Sequence, residues 1–350
     1  MTNPTLPTSD AQGRARPDLL LHWLLACAAL VVAMVVVGGI TRLTESGLSI
    51  TQWNPVSGAI PPLNHADWLR EFALYQQTTE FQTVNRSMDL AAFKAIFFWE
   101  FFHRLLARAI GVVFGLPLLF FAWRRMIPTG YGRRLSFILA LGGLQGAVGW
   151  WMVVSGLVGR TDVSHFRLAT HLGLALLILA AIVWTARDMA LLRRGVAVHR
   201  RLHAAPALVL ALLAIQIIWG AFTAGLNAGF AFDTWPLMGE EIFPAATPIA
   251  HGILDAAVNN PVVVQFLHRW WAWVAASGLI WLAYRARSSA PVAARVLAAL
   301  VAVQIMLGIS TLLTGVEITV AVAHQGCAAL LVALCTWCAH AYGAAARRAA

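Results

Sequence analysis

The sequence predicts an all-α integral membrane protein whose eight transmembrane helices form two pseudo-symmetric four-helix bundles, and three observations lead to this fold class. Of the 350 residues, 60% are hydrophobic and 11% are charged, with a mean hydropathy of +0.72. This composition excludes a soluble globular enzyme and a disordered chain. Apolar runs of the ~20 residues that span a bilayer recur along the chain. Finally, the second half of the chain repeats features of the first.

The apolar runs, numbered 1 to 8, lie at residues 20–41, 93–122, 135–157, 163–186, 205–226, 262–284, 292–314 and 318–341. They lack the alternation typical of strands, and glycine within them is normal for membrane helices. Run 1 is long and has no convincing cleavage site for a signal peptide, so it predicts an uncleaved helix. Residues 1–18 before it are polar and predict a disordered cytoplasmic tail.

Arginine is concentrated in the connections on one side of the predicted bundle. These arginines are Arg14, Arg16, Arg124, Arg125, Arg133, Arg134, Arg187, Arg193, Arg194, Arg200, Arg201, Arg285, Arg287, Arg295, Arg347 and Arg348. By the positive-inside rule, this side and both termini face the cytoplasm. The opposite, outer loops carry most of the acidic residues, and the first of them contains the amphipathic stretch HADWLREFALYQQ. The net charge of +10 therefore reflects membrane topology and does not indicate nucleic acid.

An internal repeat divides the chain into two halves. Runs 3, 5 and 7 each carry Gln followed by Gly four residues later, at Gln145/Gly149, Gln216/Gly220 and Gln304/Gly308. Run 1 and run 5, with their following loops, align at a constant offset of 182, at Gly38/Gly220, Thr41/Thr223, Gly47/Gly229, Trp53/Trp235 and Pro62/Pro244. EFFHR in run 2 matches QFLHR in run 6, and ATHLG in run 4 matches VAHQG in run 8. This parallel repeat predicts four-helix halves at 19–190 and 200–345 with the same topology.

Four of the 11 histidines lie well inside predicted helices, one in each even-numbered run, at His103, His171, His268 and His324. At ~1.5 Å per residue, all four lie roughly 9–15 Å below the outer boundary. A lone membrane histidine is more often a packing residue, but four at matched depth and matched repeat positions favour metal ligation. Zinc sites usually have more ligands, whereas two opposed imidazoles among apolar residues are typical of a haem.

Arginines on the outer side are candidates for binding haem propionates, which favour cations near water. Arg42, Arg160 and Arg167 occupy this side, and Arg167 is one helical turn from the histidine of run 4, on the same helix face. Arg104 and Arg269 each follow a histidine directly, so they must point elsewhere on their helices.

The two halves differ beside their first histidines. Glu100 lies three residues before His103, and Gln265 lies three residues before His268, so each pair shares a helix face. A carboxylate beside a haem can relay protons, orient an oxygen intermediate or stabilise a cationic one. The site without a charge is typical of an electron-holding haem. The alternative is that Glu100 forms only a buried ion pair with Arg104 or with a neighbouring helix.

Six stretches together resemble the haem A synthase family over nearly the whole chain: GGITRLTESGLSITQW, EFFHR, HLG, DTWPLM, HRWWAW and AHQG. The long first outer loop, without a cysteine pair, is similar to the proteobacterial and mitochondrial branch. The resemblance implies oxidation of the C8 methyl of haem O to a formyl group, through a hydroxymethyl intermediate, for cytochrome oxidase biogenesis. It implies that His103 and His171 flank the substrate haem, that Glu100 is the family's glutamate, and that His268 and His324 bind a resident haem b.

The resemblance also implies reactants, partners and a location. The reactants are haem O and molecular oxygen, and the expected partners are haem O synthase (protohaem farnesyltransferase), a ferredoxin-type or other electron donor, and cytochrome oxidase assembly factors. The location is the lipid bilayer of the bacterial inner membrane, with several passes through it.

The sequence is compatible with alternatives on two points. Two histidines on the substrate iron leave no open position, so either His103 or His171 dissociates during turnover, or the chemistry begins differently. Two rival functions also remain: a di-haem b-type electron-transfer cytochrome such as a quinol oxidoreductase, and a non-catalytic haem carrier.

Overall fold

The computed structural model describes residues 14–196, 198 and 201–346, and within these residues every regular element is a helix. The long helices are α1 (Pro17–Leu43), α4 (Leu90–Trp123), α5 (Gly132–Leu157), α6 (His165–Leu192), α7 (Ala204–Gly225), α9 (Pro261–Ala286), α10 (Pro291–Leu313) and α11 (Ile318–Ala346). Three short helices, α2 (His65–Tyr75), α3 (Thr79–Thr83) and α8 (Ile253–Asn259), lie in the connections.

Seven of the long helices in the described part of the chain are long and apolar enough to cross a membrane. The prediction of an all-α integral membrane protein is therefore confirmed. The run predicted at 262–284 corresponds to α9, which has 26 residues but is not among the seven. Its hydropathy is lowered by Gln265, His268 and Arg269 and by four tryptophans in the sequence RWWAWVAASGLIW. Because hydropathy does not identify α9 as a span, the count of eight spans stays a prediction.

The first helix begins slightly earlier than the sequence predicted. Helix α1 starts at Pro17, so the last two residues of the predicted 1–18 tail are helical. Proline is favoured at the first helical position because its missing N–H has no partner there in any case. Asp18 adds a negative charge to the first turn, where it interacts favourably with the helix dipole. Residues 1–13 of the predicted tail lie outside the described residues.

The long helices alternate in direction and pack around one apolar core. Helix α1 packs against α4, α6 and α11, α7 packs against α6 and α9, and α10 packs against α9 and α11. Buried leucines, valines and alanines from all of the long helices form a continuous cluster. We call one end of the bundle the loop end, because the connections 44–89 and 226–260 lie there.

The end opposite the loop end is joined by a buried charged network. Asp188 of α6 is 2% exposed, and its carboxylate lies 2.5 Å from Arg134 Nη1 of α5 and 2.6 Å from His340 Nε2 of α11. Burial of a charge is tolerated when it is paired in this way. The network therefore ties helices from both predicted halves together.

The amphipathic stretch predicted in the first long loop is helical. Asn64 caps the start of α2 by accepting a hydrogen bond from the Asp67 N–H. The apolar face of α2 places Tyr75, which is fully buried, against Phe93 near the start of α4. The helix is therefore fixed to the bundle rather than exposed on all sides.

Candidate functional site

Each of the four histidines inside the helices lies against a glycine of a neighbouring helix. A Cβ atom added to the glycine would lie 2.8 Å from Cε1 at Gly149/His171, 2.9 Å from Cε1 at Gly220/His268 and Gly308/His324, and 3.4 Å from Nε2 at Gly38/His103. Contacts below about 3 Å do not occur for real Cβ atoms, so only glycine leaves room for the ring at three of these positions. All four rings remain partly exposed within the bundle.

Three of the four histidines also contact a glutamine amide one helical turn before that glycine. Gln145 Nε2 lies 3.1 Å from Nδ1 of His171 and donates to its carbonyl at 3.0 Å. Gln216 makes the same two contacts to His268, both at the same distances. Gln304 Nε2 lies 3.4 Å from His324 Nε2. The Gln and Gly of the repeated phrase therefore act together on one imidazole.

His103 is different from the other three. The position one turn before Gly38 is occupied by Met34 rather than glutamine. No hydrogen bond to the His103 imidazole occurs among the described residues, and its ring is positioned by packing alone.

The side-chain oxygens of the three glutamines show whether these sites can accept a proton from a metal-bound imidazole. The Oε1 atoms of Gln145, Gln216 and Gln304 are buried without a hydrogen-bond partner. An imidazole bound to a metal through Nε2 carries its proton on Nδ1 and needs an acceptor there. Rotation of the amide by half a turn exchanges its nitrogen and oxygen, so the same glutamine serves either form. The surroundings of His171 and His268 therefore fit ligation of a metal through Nε2, whereas Gln304 contacts the Nε2 atom of His324 and leaves its Nδ1 without a partner.

The spacing of the second histidine pair also fits a shared metal. The rings of His268 and His324 have centroids 6.4 Å apart and planes at 89°. Two metal–nitrogen bonds of about 2 Å, together with the half-width of each ring, fill that distance. No group of three or more histidine, cysteine or acidic side chains suited to a metal is found in the described part of the chain. The arrangement supports paired ligands, as for a haem, rather than a multi-ligand ion site.

Glu100 is buried and hydrogen-bonded on both carboxylate oxygens. It is 2% exposed and accepts from the Ser49 hydroxyl and the Ile50 N–H, each at 2.7 Å. Arg104 Nη2 donates to its other oxygen at 2.6 Å. The ion pair with Arg104 considered from the sequence is therefore present. Glu100 also holds the loop after α1, a role that the sequence reasoning missed.

Arg104 completes this attachment. It donates to the carbonyls of Ile50 and Gln52, each at 2.8 Å, and lies over the ring of Trp150 at 5.6 Å. We call Glu100, Arg104 and the loop atoms they bind the first clamp.

The second half has a corresponding clamp. Gln265 Nε2 donates to the Phe232 carbonyl at 2.9 Å. Arg269 donates to the carbonyls of Thr234 at 2.8 Å and Phe232 at 3.0 Å. We call these contacts the second clamp. The sequence feature that could have predicted both clamps is a spacing of four residues, between Glu100 and Arg104 in the first half and between Gln265 and Arg269 in the second.

The outer arginines predicted to bind propionates have protein partners at the loop end. Arg42 donates to the Ala224 carbonyl at 3.0 Å and to Asn227 Oδ1 at 2.8 Å, and it lies 3.4 Å from Asp162. Arg167 donates to the Trp151 carbonyl at 2.6 Å and lies over that ring at 4.5 Å.

Arg160 lines an open cavity of about 350 Å³. The other lining residues are Thr161, Asp162, Gly225, Leu226 and Asn227. Arg160 therefore borders open space at the loop end.

Comparison with known proteins agrees with the resemblance in the sequence. Residues 21–336 match the family COX15-CtaA, described as cytochrome oxidase assembly protein. The chain is 55% identical over 328 residues to the Heme A synthase of Rhizorhabdus wittichii, covering 93% of this chain and 94% of the relative. It is 51% identical over 346 residues to that of Sphingopyxis alaskensis, covering 98% of both. It is 49% identical over 340 residues to that of Novosphingobium aromaticivorans, covering 95% and 97%.

Proposed function

Because this chain belongs to the COX15-CtaA family of cytochrome oxidase assembly proteins, we propose that it is a haem A synthase, a membrane oxidoreductase that converts haem O to haem A. The relatives that bear this name are about half identical to it over nearly the whole chain. The reaction oxidises the C8 methyl of haem O to a formyl group, and haem O and molecular oxygen are its reactants.

The proposed architecture is two four-helix halves with eight spans, including α9. The supporting observation is that α1, α5, α7 and α10 each present a glycine to a histidine of α4, α6, α9 and α11 respectively. In this arrangement the loop end faces outward from a bacterial inner membrane. Both termini then face the cytoplasm, in agreement with the arginines of the opposite end.

The observation that carries the proposed function is the set of four histidines, each fitted against a glycine and divided between the halves. In this proposal His103 and His171 hold the substrate haem O, and His268 and His324 hold a resident haem b. A bound iron porphyrin supplies the redox chemistry. The chain's own residues fix the imidazoles, through glycine contacts and glutamine amides, and exclude water by apolar packing around them.

Glu100 is proposed as the catalytic carboxylate. It shares a face of α4 with His103, and its position is fixed by three donors, Ser49, Ile50 and Arg104. A fixed carboxylate beside the substrate stabilises positive charge that develops on the reacting carbon. The first clamp also holds the loop after α1, so Glu100 has a positioning role in addition.

The experiment is pigment extraction from cells that express the protein together with haem O synthase, the expected supplier of the substrate. A new haem A peak is expected. Haems B and O alone would instead favour an electron-transfer cytochrome or a haem carrier. Repeating the extraction after lowering the cellular ferredoxin-type reductant tests the proposed class of electron donor, and loss of haem A without loss of haem O is expected.

A further inference from the structure

The segment 46–64, between α1 and α2, has the composition of a membrane-contacting element. It contains no Asp, Glu, Lys, Arg or His, and it includes the apolar stretch VSGAIPPL. Its most exposed large apolar side chains are Val56 at 84%, Leu63 at 76% and Ile60 at 68%. Exposed apolar side chains close together in a segment are typical of a site that contacts a membrane or another partner.

The middle of the segment, at Asn54 and Pro55, lies below the end of α1. His103 contacts Gly38, which is about 7.5 Å before the last residue of α1 at 1.5 Å per residue. Arg108 lies about 7.5 Å further along α4 by the same measure, and it donates to the carbonyls of Pro55 and Asn54 at 2.9 and 2.8 Å. Even with the Arg108 side chain fully extended toward the loop end, these carbonyls lie near the level of Gly38.

That level corresponds to the edge of the hydrocarbon core. Helix α1 has 27 residues and is therefore about 40 Å long, whereas the core is about 30 Å thick. A core centred on α1 begins about 5 Å inside each helix end. Segment 46–64 therefore reaches the boundary between lipid headgroups and acyl chains.

Many backbone polar groups of the segment have hydrogen-bond partners within the protein, as a position near lipid requires. Irregular backbone is tolerated near lipid only when its polar groups have internal partners. Arg104 binds the carbonyls of Ile50 and Gln52, and Arg108 binds those of Asn54 and Pro55. The N–H groups of Gly58, Ala59 and Ile60 bind carbonyls within the segment, and its three prolines have no N–H.

Helix α4, which holds the segment through Arg104 and Arg108, also carries exposed apolar side chains. On α4, Phe98, Phe102 and Leu105 are 56%, 38% and 37% exposed, and this helix is long and apolar enough to span the membrane. The second half has no counterpart of Arg108, because the matching position is Trp273 in QFLHRWWAW. The arrangement is therefore specific to the first half.

We propose that segment 46–64 is a membrane wedge, inserted among the lipids of the leaflet at the loop end and held there by Arg104 and Arg108. Val56, Ile60 and Leu63 contact the acyl-chain region of the bilayer. This proposal requires only that α1 and α4 span the membrane, so it stands or falls separately from the proposed haem chemistry.

The test uses single added cysteines in the full-length protein reconstituted into phosphatidylcholine vesicles. The four native cysteines are buried, so Ile60→Cys and Val56→Cys add a reactive site in the wedge. Gln77→Cys, which lies after α2 and is exposed, is the matched control. Each is labelled with an environment-sensitive fluorophore and quenched either by nitroxide on the acyl chains or by aqueous iodide.

The wedge labels are expected to be quenched several-fold more by the acyl-chain nitroxide than by iodide, and the Gln77 label the reverse. Adding Arg108→Leu to Ile60→Cys is expected to shift the wedge label toward iodide. Equal iodide quenching at positions 60 and 77 would overturn the proposal. So would protection of position 60 from both quenchers, because that result indicates a protein partner or a second copy of the chain.

Discussion

The two clamps hold their loops with opposite hydrogen-bonding polarity. In the first clamp the Glu100 carboxylate accepts from the Ser49 hydroxyl and the Ile50 N–H. In the second, the Gln265 amide donates to a carbonyl. The arginine four residues later binds loop carbonyls in both halves. The Glu/Gln difference therefore sets which backbone atoms are held, in addition to placing a charge beside one histidine.

The halves differ again in how their histidines are held. Glutamine contacts His171, His268 and His324, whereas Met34 takes that place near His103. A hydrogen-bonded ligand is oriented more firmly than one held by packing alone. The first half thus combines a fixed carboxylate with its least constrained imidazole, which suits a site that must bind and release a substrate.

Replacement of the carboxylate tests the difference between the clamps most strongly. Glu100→Gln is expected to lower haem A formation by at least about 100-fold, the scale on which fixed electrostatic groups act, while leaving haem b spectra largely intact. Pigment extraction and absorption spectra measure the two effects. Glu317→Gln, an exposed acid in the turn after α10, is the control and should keep full yield. Normal yield from Glu100→Gln would show that the carboxylate is dispensable.

Removal of one imidazole tests which half holds which haem. His268→Ala is expected to lose the resident b-type spectrum, because one of its two proposed ligands is gone. His103→Ala is the matched variant and should keep that spectrum while losing product. An unchanged spectrum in His268→Ala would mean that the sites are assigned to the wrong halves.

A methyl group added at a glycine tests the fit of the histidine against its neighbour. Gly149→Ala places a Cβ 2.8 Å from His171, and such overpacking typically costs about 1–3 kcal/mol. We expect lower thermal stability and weaker haem O binding, measured by thermal unfolding and titration. Gly146→Ala, on the same helix with open space around it, should be neutral. Equal effects of both substitutions would contradict the fit.

A pH-dependent effect is expected in the long loop of the first half. Burial raises the pKa of Glu80 to about 7, with smaller contributions in the same direction from Glu45, Glu100 and Asp162, and an opposing hydrogen bond from Tyr75. Because the folded-state pKa lies above the unfolded value, the loop is most stable below about pH 4.5. It loses stability, on the order of 3 kcal/mol, as pH rises toward 7.

Hydrogen exchange of residues 65–88 between pH 5 and 8 measures this effect. After correction for the intrinsic base-catalysed rate of exchange, lower protection of these amides is expected at the higher pH, and Glu80→Gln should remove most of the difference. A pH dependence of this protection that persists in Glu80→Gln would assign it to another group.

The smallest expected effect comes from making the first half resemble the second around its histidine. Met34→Gln supplies the amide that His103 lacks. We expect a several-fold decrease in turnover with little change in haem b content, because the ring becomes more constrained. Met152→Gln, at a partly buried methionine of α5 that packs against Leu48 and Val163, is the control. An increase in turnover would show that constraint at His103 does not limit the reaction.

Much of the fold was predictable because its determinants are local or repeated. The apolar runs predicted the positions of the long helices, and the spacing in HADWLREFALYQQ predicted α2. The histidines stood out because ionisable groups are rare in such runs. Hydropathy gave no clear result for α9, since the residues that bind the loop, Gln265 and Arg269, are also those that make it less apolar.

The attachments between loops and helices were not predictable in the same way. Glu100 meets Ile50, and Arg108 meets Pro55, across about fifty residues of sequence. Their partners are backbone atoms, which have no signature in the residue letters. Arg42 and Arg167 were assigned to propionates by position alone, whereas their protein partners depend on how neighbouring helices end.

The contact of Arg42 has a consequence for how the halves are joined. By the constant offset of 182 in the repeat, Ala224 is the counterpart of Arg42, so the arginine binds the backbone of its own equivalent position. In a dimer of identical halves, each carrying arginine there, two guanidinium groups would meet near the axis and repel each other. Two unlike sequences at this junction avoid that repulsion. A covalently continuous, internally diverged chain supplies that asymmetry, which self-association of one half alone does not provide.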